Sequence, residues 1–165
     1  MNAESCKFAH GNSASIKLCQ ADFGMFFVHD DSVVDLDLDL LAELLDVIDR
    51  QLDTVTGGWR SAEEADELGY FDRAEHITGF GFVACQAYIT ATYGFLKTPK
   101  LKALSVGPRH RSGHRVVELV NHAANYWKHH NEWPLYNSPG NQNRIRQAFD
   151  AVGFPVDIDY PLCGV

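Results

Sequence analysis

A chain of 165 residues, 45% hydrophobic and 22% charged, is long enough to bury one core without disulfides and has the balance of an ordinary folded domain. Its net charge of -8 speaks against a broad electrostatic grip on nucleic acid, because that grip comes from Lys and Arg displacing counterions from phosphates. A local basic patch is compatible with that total: Lys97, Lys100, Lys102, Arg109, Arg111 and Arg115 fall in one stretch with His110 and His114, while acids crowd residues 30 to 75, so an electrically two-sided molecule is expected.

Residues 1–30 read as an N-terminal arm, polar and without period at first. Two short apolar runs follow, Ile16–Leu18 and Phe23–Val28, that suit a small hairpin or a turn of helix equally. Cys6, His10 and Cys19 lack the fourth ligand and the close pairing of a zinc site. The four cysteines are scattered with no C-x-x-C pair, and no signal-peptide architecture opens the chain, so a reducing cytoplasm is the expected compartment. Cys85, inside an apolar helical pattern, reads as a buried small hydrophobe. No run approaches the roughly 18 apolar residues that a membrane span requires, and no membrane partner is expected.

A helical bundle domain is expected over residues 31–153. Asp30-Asp31-Ser32 offers N-cap chemistry for a helix whose apolar face runs Leu36, Leu40, Leu41, Leu44, Leu45, Val47, Ile48 and Leu52, with Gly57-Gly58 as its stop. Ser61 and Glu64 form a capping box for a short helix ending near Leu68. The longest helix is expected over Phe71–Leu96, with Ile77, Phe80, Val83, Ala84, Ala87, Tyr88, Ala91 and Phe95 inward and a bend near Gly79–Gly81. His76 is assigned either to a functional cleft or to the surface beside Glu75. A turn or two of helix follows over Lys100–Val106, then the basic loop Pro108–His114. Asn141 can cap a last helix over Gln142–Val152, with Ile145, Ala148, Phe149 and Val152 inward and Gly153 as its end. Residues 154–165 read as an extended tail along the bundle.

The stretch Arg115–Trp133 combines helical periodicity with reactive side chains. Val116, Val120, Ala123 and Trp127, with Val117 and Ala124, form an apolar stripe; Glu118, His122, Asn125, His129 and Glu132 step by 4, 3, 4 and 3 along one polar side. Five of the eight His residues lie between positions 110 and 130, and such clustering of groups that titrate near neutrality favours a site. The loop arginines precede this helix, where its positive end favours an anion. Trp133-Pro134 closes it.

Helical patterns outnumber strand patterns, so an all-α antiparallel bundle of about four to five helices is the expected fold. The string Asn125-Tyr126-Trp127-Lys128-His129, with Asn121 before it and Glu132-Trp133 after it, resembles the HEPN superfamily of helical proteins, over roughly residues 35 to 152 in helix order. The resemblance implies a homodimer and a metal-independent endoribonuclease without cofactor, or a degenerate RNA-binding relative. In that family an Arg and a His separated by four to six residues serve the reaction, the His moving protons and the Arg steadying phosphate charge. Counting back from His129 or His130 over that interval finds no Arg, a departure that bears on cleavage more than on fold. On this reading His129 is the proton-transfer candidate, His122 and Asn125 orient or contact substrate, Lys128 contacts phosphate, and Arg109, Arg111 and Arg115 bind RNA or phosphate.

Two other readings compete. A non-catalytic interaction or dimerisation module, for example one member of a toxin–antitoxin pair held by a partner protein, would use Tyr126, Trp127 and Trp133 as anchors. Metal binding ranks third, since His122 and His129 lie two turns apart, about 10 Å along the helix axis, and cannot grip one ion together.

Overall fold

The computed structural model describes residues 17–21, 24–29, 32–60, 66–133 and 140–163. The arm before residue 17, the zinc reading that needs Cys6 and His10, and the capping box at Ser61 lie outside these residues.

Three short strands, β1 (Lys17–Ala21), β2 (Gly24–His29) and β3 (Ser32–Asp35), form an antiparallel meander, with Lys17 opposite Val28 and Phe26 opposite Asp35. The hairpin alternative therefore holds, with one addition: Ser32 belongs to a third strand and does not cap a helix. The cap is Asp35, whose Oδ1 accepts the Leu38 N–H at 3.0 Å. Its other oxygen accepts the Tyr88 hydroxyl at 2.6 Å, so one carboxylate starts one helix and ties it to the next.

The rest of the described chain is a helical bundle: α1 (Leu36–Arg60), α2 (Tyr70–Phe95), α3 (Lys100–Leu104), α4 (Val116–His129) and α5 (Gly140–Val152), with a 3-10 turn over His130–Glu132. None of these helices is long and apolar enough to cross a membrane. The all-α bundle is the architecture, with the small meander set against α1 and α2. Helix α2 is central and packs on α1 along one side and α4 along the other.

Gly57-Gly58 does not stop α1. Each glycine costs about 1 kcal/mol in a helix interior, but the turn that carries them is held by tertiary contacts. Val55 is buried, the Trp59 ring meets Phe71 edge-on at 4.7 Å, and Gly58 lies so close to Tyr70 that a Cβ would come within 2.5 Å of its ring. The apolar pattern of α1 also divides. Leu41, Leu45, Ile48, Leu52 and Val55 face the bundle, whereas Leu36, Leu40, Leu44 and Val47 form a second stripe that is 41%, 65%, 45% and 45% exposed.

On α2, Phe80 and Ala87 are exposed, contrary to expectation, and the buried positions include Ala74, Glu75, Gly79, Gly81 and Gln86. The helix continues through both glycines, and their absent side chains are what its neighbours use. A Cβ on Gly79 would collide with the Trp127 indole of α4, and Gly81 faces Ile48 of α1. The core is built by Ala123 and Tyr126 of α4 against Ile145 and Phe149 of α5, with Phe82, Trp133, Val156 and Leu162 around them.

Helix α5 ends as its pattern requires. Gly153 adopts φ 92°, and the Phe154 N–H reaches back to the Phe149 carbonyl at 3.1 Å. The tail is not extended. It turns at Pro155–Ile158 and again at Tyr160–Cys163, and the second turn donates two backbone N–H groups, from Leu162 and Cys163, to the buried Glu75 carboxylate at 2.9 and 3.1 Å. Tyr160 bonds Asp66 at 2.8 Å and so closes the tail onto the turn before α2.

Candidate functional site

Helices α3, α4 and α5 and the loop between α3 and α4 enclose a cleft of about 480 Å³. The loop is shaped by its own side chains. Arg109 and Arg115 pair as an isolated antiparallel bridge, the Arg109 guanidinium donates to the Gly113 carbonyl at 2.5 Å, and that of Arg115 donates to the Gly107 carbonyl at 2.6 Å. Glycine is required at both acceptor positions, since Gly107 and Gly113 have φ of 82° and 90°. A guanidinium carries five N–H donors, so each arginine keeps donors for a ligand after closing the loop.

Four cations, Lys100, Arg109, Arg115 and Arg144, line the cleft against one acid, Glu118. In a chain of net charge -8 this is a strong local excess of positive charge. Glu118 sits between two imidazoles: His114 Nδ1 donates to it at 3.3 Å, and His122 Nε2 lies 3.9 Å away on the other side. His122 is mostly buried, and its Nδ1 has no hydrogen-bond partner. Burial lowers its pKa below the ordinary imidazole value, opposed by Glu118 and aided by the charges of His114, Lys100 and Arg144. The neutral ring, with one nitrogen able to accept a proton, is the favoured form at neutral pH.

The amide floor of the cleft comes from Asn121 and Asn125, one turn apart on α4. Both Oδ1 atoms accept from Gln86 Nε2 of α2, at 3.0 and 3.1 Å, and Gln86 Oε1 accepts from Lys128 Nζ at 2.6 Å.

The polar stripe of α4 is thus divided by its surroundings. Glu118, His122 and Asn125 line the cleft. His129 lies outside it, half exposed, and its Nδ1 donates to Glu132 at 3.3 Å. Lys128 also lies outside, with its ammonium committed to Gln86. Of the three arginines singled out, Arg109 and Arg115 line the cleft, and Arg111 does not. Val116, expected inward, is 41% exposed, while Asn121 and Tyr126 are buried, because α4 is covered by α2 on one side and α5 on another and its buried arc is wider than one stripe.

Three further histidines, His110, His130 and His76, serve other places. His110 bonds Ser112 within the loop. His130 stacks on Tyr126 at 4.8 Å, and His76, bonded to the Asp72 carbonyl at 2.7 Å, meets Trp127 edge-on at 4.8 Å. Both line a separate depression of about 460 Å³ with Glu75, Trp127 and Tyr160. Burial raises the Glu75 carboxyl above its ordinary value, against the hydrogen bonds it accepts. Among the described residues no group of three or more His, Cys, Asp or Glu side chains is arranged to hold a metal ion.

Two participants were missed at the sequence level: Arg144 arrives from α5 and Gln86 from α2, and neither carries a local signal. The pairing of Arg115 with His122 was readable: the two have six residues between them, so the interval counted from His122, rather than from His129, contains its arginine. Compared with family models, curated proteins and solved structures, the chain matches none.

Proposed function

We propose that this chain is a HEPN-like, RNA-directed protein and that the cleft between α3, α4 and α5 receives a phosphodiester of single-stranded RNA. The observation that carries the reading is that Arg115 and His122, with six residues between them, line one cleft with Lys100, Arg109 and Arg144. Guanidinium groups gathered along one cleft are suited to an anionic phosphate and to the further charge it develops in the transition state. His122, neutral because it is buried, takes the proton from the ribose 2′-hydroxyl. The 2′-oxygen then bonds to phosphorus as the bond to the 5′-oxygen breaks, and that oxygen is protonated as it leaves. The products are a 2′,3′-cyclic phosphate and a 5′-hydroxyl, with no net gain or loss of protons. His114, bonded to the same Glu118, is placed to supply the second proton. The roles given at first to His129 and Lys128 pass to His122 and Arg115.

Incubation of the purified protein with a mixed single-stranded RNA pool in EDTA tests this. Cleavage by the parent and by His129→Ala, with loss of cleavage in His122→Ala and Arg115→Ala, is the expected pattern. RNA bound but intact in every tube would leave the degenerate RNA-binding relative, and no binding at all would overturn the reading.

A second reading, a dimerisation or partner-binding module, is favoured by the outer stripe of α1. Leu36, Leu40, Leu44 and Val47 are apolar, aligned and exposed, and a second copy would cover them.

A further inference from the structure

Gln86 is buried on α2, points at α4 and touches both cleft asparagines, yet it does not itself line the cleft. Lys128 of α4, which does not line the cleft either, donates to its oxygen. We propose that Lys128 and Gln86 form an orienting relay that turns the amide N–H2 groups of Asn121 and Asn125 into the cleft, making its floor selective for an oxyanion. This rests on the cleft being the phosphodiester site.

The orientation follows step by step from donor and acceptor chemistry. An ammonium group has donors only, so the side chain facing Lys128 Nζ at 2.6 Å has to be the oxygen of Gln86. With its oxygen so held, the N–H2 of Gln86 faces α4. There it donates to Asn121 Oδ1 at 3.0 Å and to Asn125 Oδ1 at 3.1 Å, with the Asn121 backbone carbonyl at 3.3 Å. A planar amide that turns its oxygen toward Gln86 turns its nitrogen away, and both asparagines line the cleft. A ligand on that floor therefore meets amide donors in addition to the guanidinium groups of the rim. Were the relay reversed, two carbonyl dipoles would oppose the same anion.

Lys128 and Gln86 are on this account positioning residues, and their role is separable from that of a phosphate contact. The probe is a fluorescein-labelled 2′-O-methyl oligoribonucleotide, which carries the phosphodiesters but has no free 2′-hydroxyl to react, and binding is read by anisotropy over a series of salt concentrations. Gln86→Glu can still accept from Lys128 but cannot donate to the asparagines, so their oxygens turn outward. The expected result is binding weakened about tenfold or more, the loss that follows when charge-assisted hydrogen bonds are replaced by opposed dipoles. Lys128→Met is expected to weaken binding similarly and Lys128→Arg to restore it. The slope of affinity against salt should stay unchanged in Lys128→Met, whereas loss of a phosphate contact would lower it by about one. Lys128 is exposed, so its variants keep the test open even where Gln86→Glu folds poorly.

Binding that is weakened by Arg115→Ala but equal to the parent in Gln86→Glu and Lys128→Met would overturn the relay and leave the cleft as the site. A reduced salt slope in Lys128→Met would do the same by making Lys128 a phosphate contact. A parent protein that does not bind the probe, or binds it equally after Arg115→Ala, would overturn the phosphodiester site and the relay with it.

Discussion

Glu118 and His122, one turn apart on α4, stand with Oε1 and Nε2 3.9 Å apart while the other imidazole nitrogen is sealed in without a partner. The carboxylate is too distant for a hydrogen bond and partly exposed, so it offsets only part of the cost of placing a charged ring there. Burial prevails and the ring favours its neutral form.

A pH dependence follows for both stability and chemistry. The folded protein holds His122 below the ordinary value of 6.5, so the unfolded chain binds its proton more readily. The contribution of the neutral ring is then fully present above about pH 6.5 and is lost as pH falls through the folded pKa. Urea unfolding at a series of pH values should show a falling midpoint below that point, and His122→Phe should flatten this limb. RNA cleavage, which uses the neutral ring as base, should rise with pH along an acid limb whose midpoint lies below pH 6.5 rather than above it.

Gly79 exists for Trp127. Gly79→Ala places a methyl group in the indole ring and should cost about 2 kcal/mol, the usual cost of overpacking a close helix contact. Gly94→Ala, on the same helix with open space around it, should instead gain about 0.5–1 kcal/mol. Denaturant unfolding of the two variants separates packing from propensity, since both exchange the same residue types in one helix. Equal effects would argue against the contact.

Glu75 anchors the C-terminal turn through two backbone N–H groups. Glu75→Ala should leave the Leu162 N–H unpaired and the Cys163 N–H with the Tyr160 carbonyl alone, and cost about 1–2 kcal/mol, with faster amide exchange at Leu162 than at Cys163. Glu75→Gln retains an acceptor and removes the cost of burying charge, so at neutral pH it should match or exceed the parent. The carboxyl is held above its ordinary value, so its contribution is fully present below about pH 4.5 and declines as pH rises through the folded pKa. The gap between the Gln variant and the parent should therefore widen from acid to neutral pH.

The outer stripe of α1 gives a test of assembly. The parent should sediment as a dimer, and Leu40→Glu with Leu44→Glu should sediment as a monomer whose stability stays within about 0.5 kcal/mol of that of the unassembled parent, because both positions are at the surface. A monomeric parent would remove a second copy as the cover for this face.

Several features were legible without coordinates because their physics is local. The spacing of Ile145, Ala148 and Phe149 placed α5 and its buried face, and Gly153 marked its end. The conjunction of Glu118, His122 and Asn125 on one side of α4 followed from helix geometry alone, as did the closeness of Arg115 to them. Helical period states which side chains share a face; it does not state what covers that face. Two leucine stripes of α1 have equal claim by pattern, and α2 covers one of them. His122 and His129 share a stripe, yet α3 and α5 enclose only the first, so one imidazole is desolvated and the other pairs with Glu132 in water. Arg144, Gln86 and the Glu75 anchor join parts of the chain far apart in sequence, where no spacing rule applies. What the sequence determined by itself was therefore the set of helices and the chemistry along each. The tertiary structure decided which of those groups lose water and meet, because desolvation depends on the neighbours that packing brings.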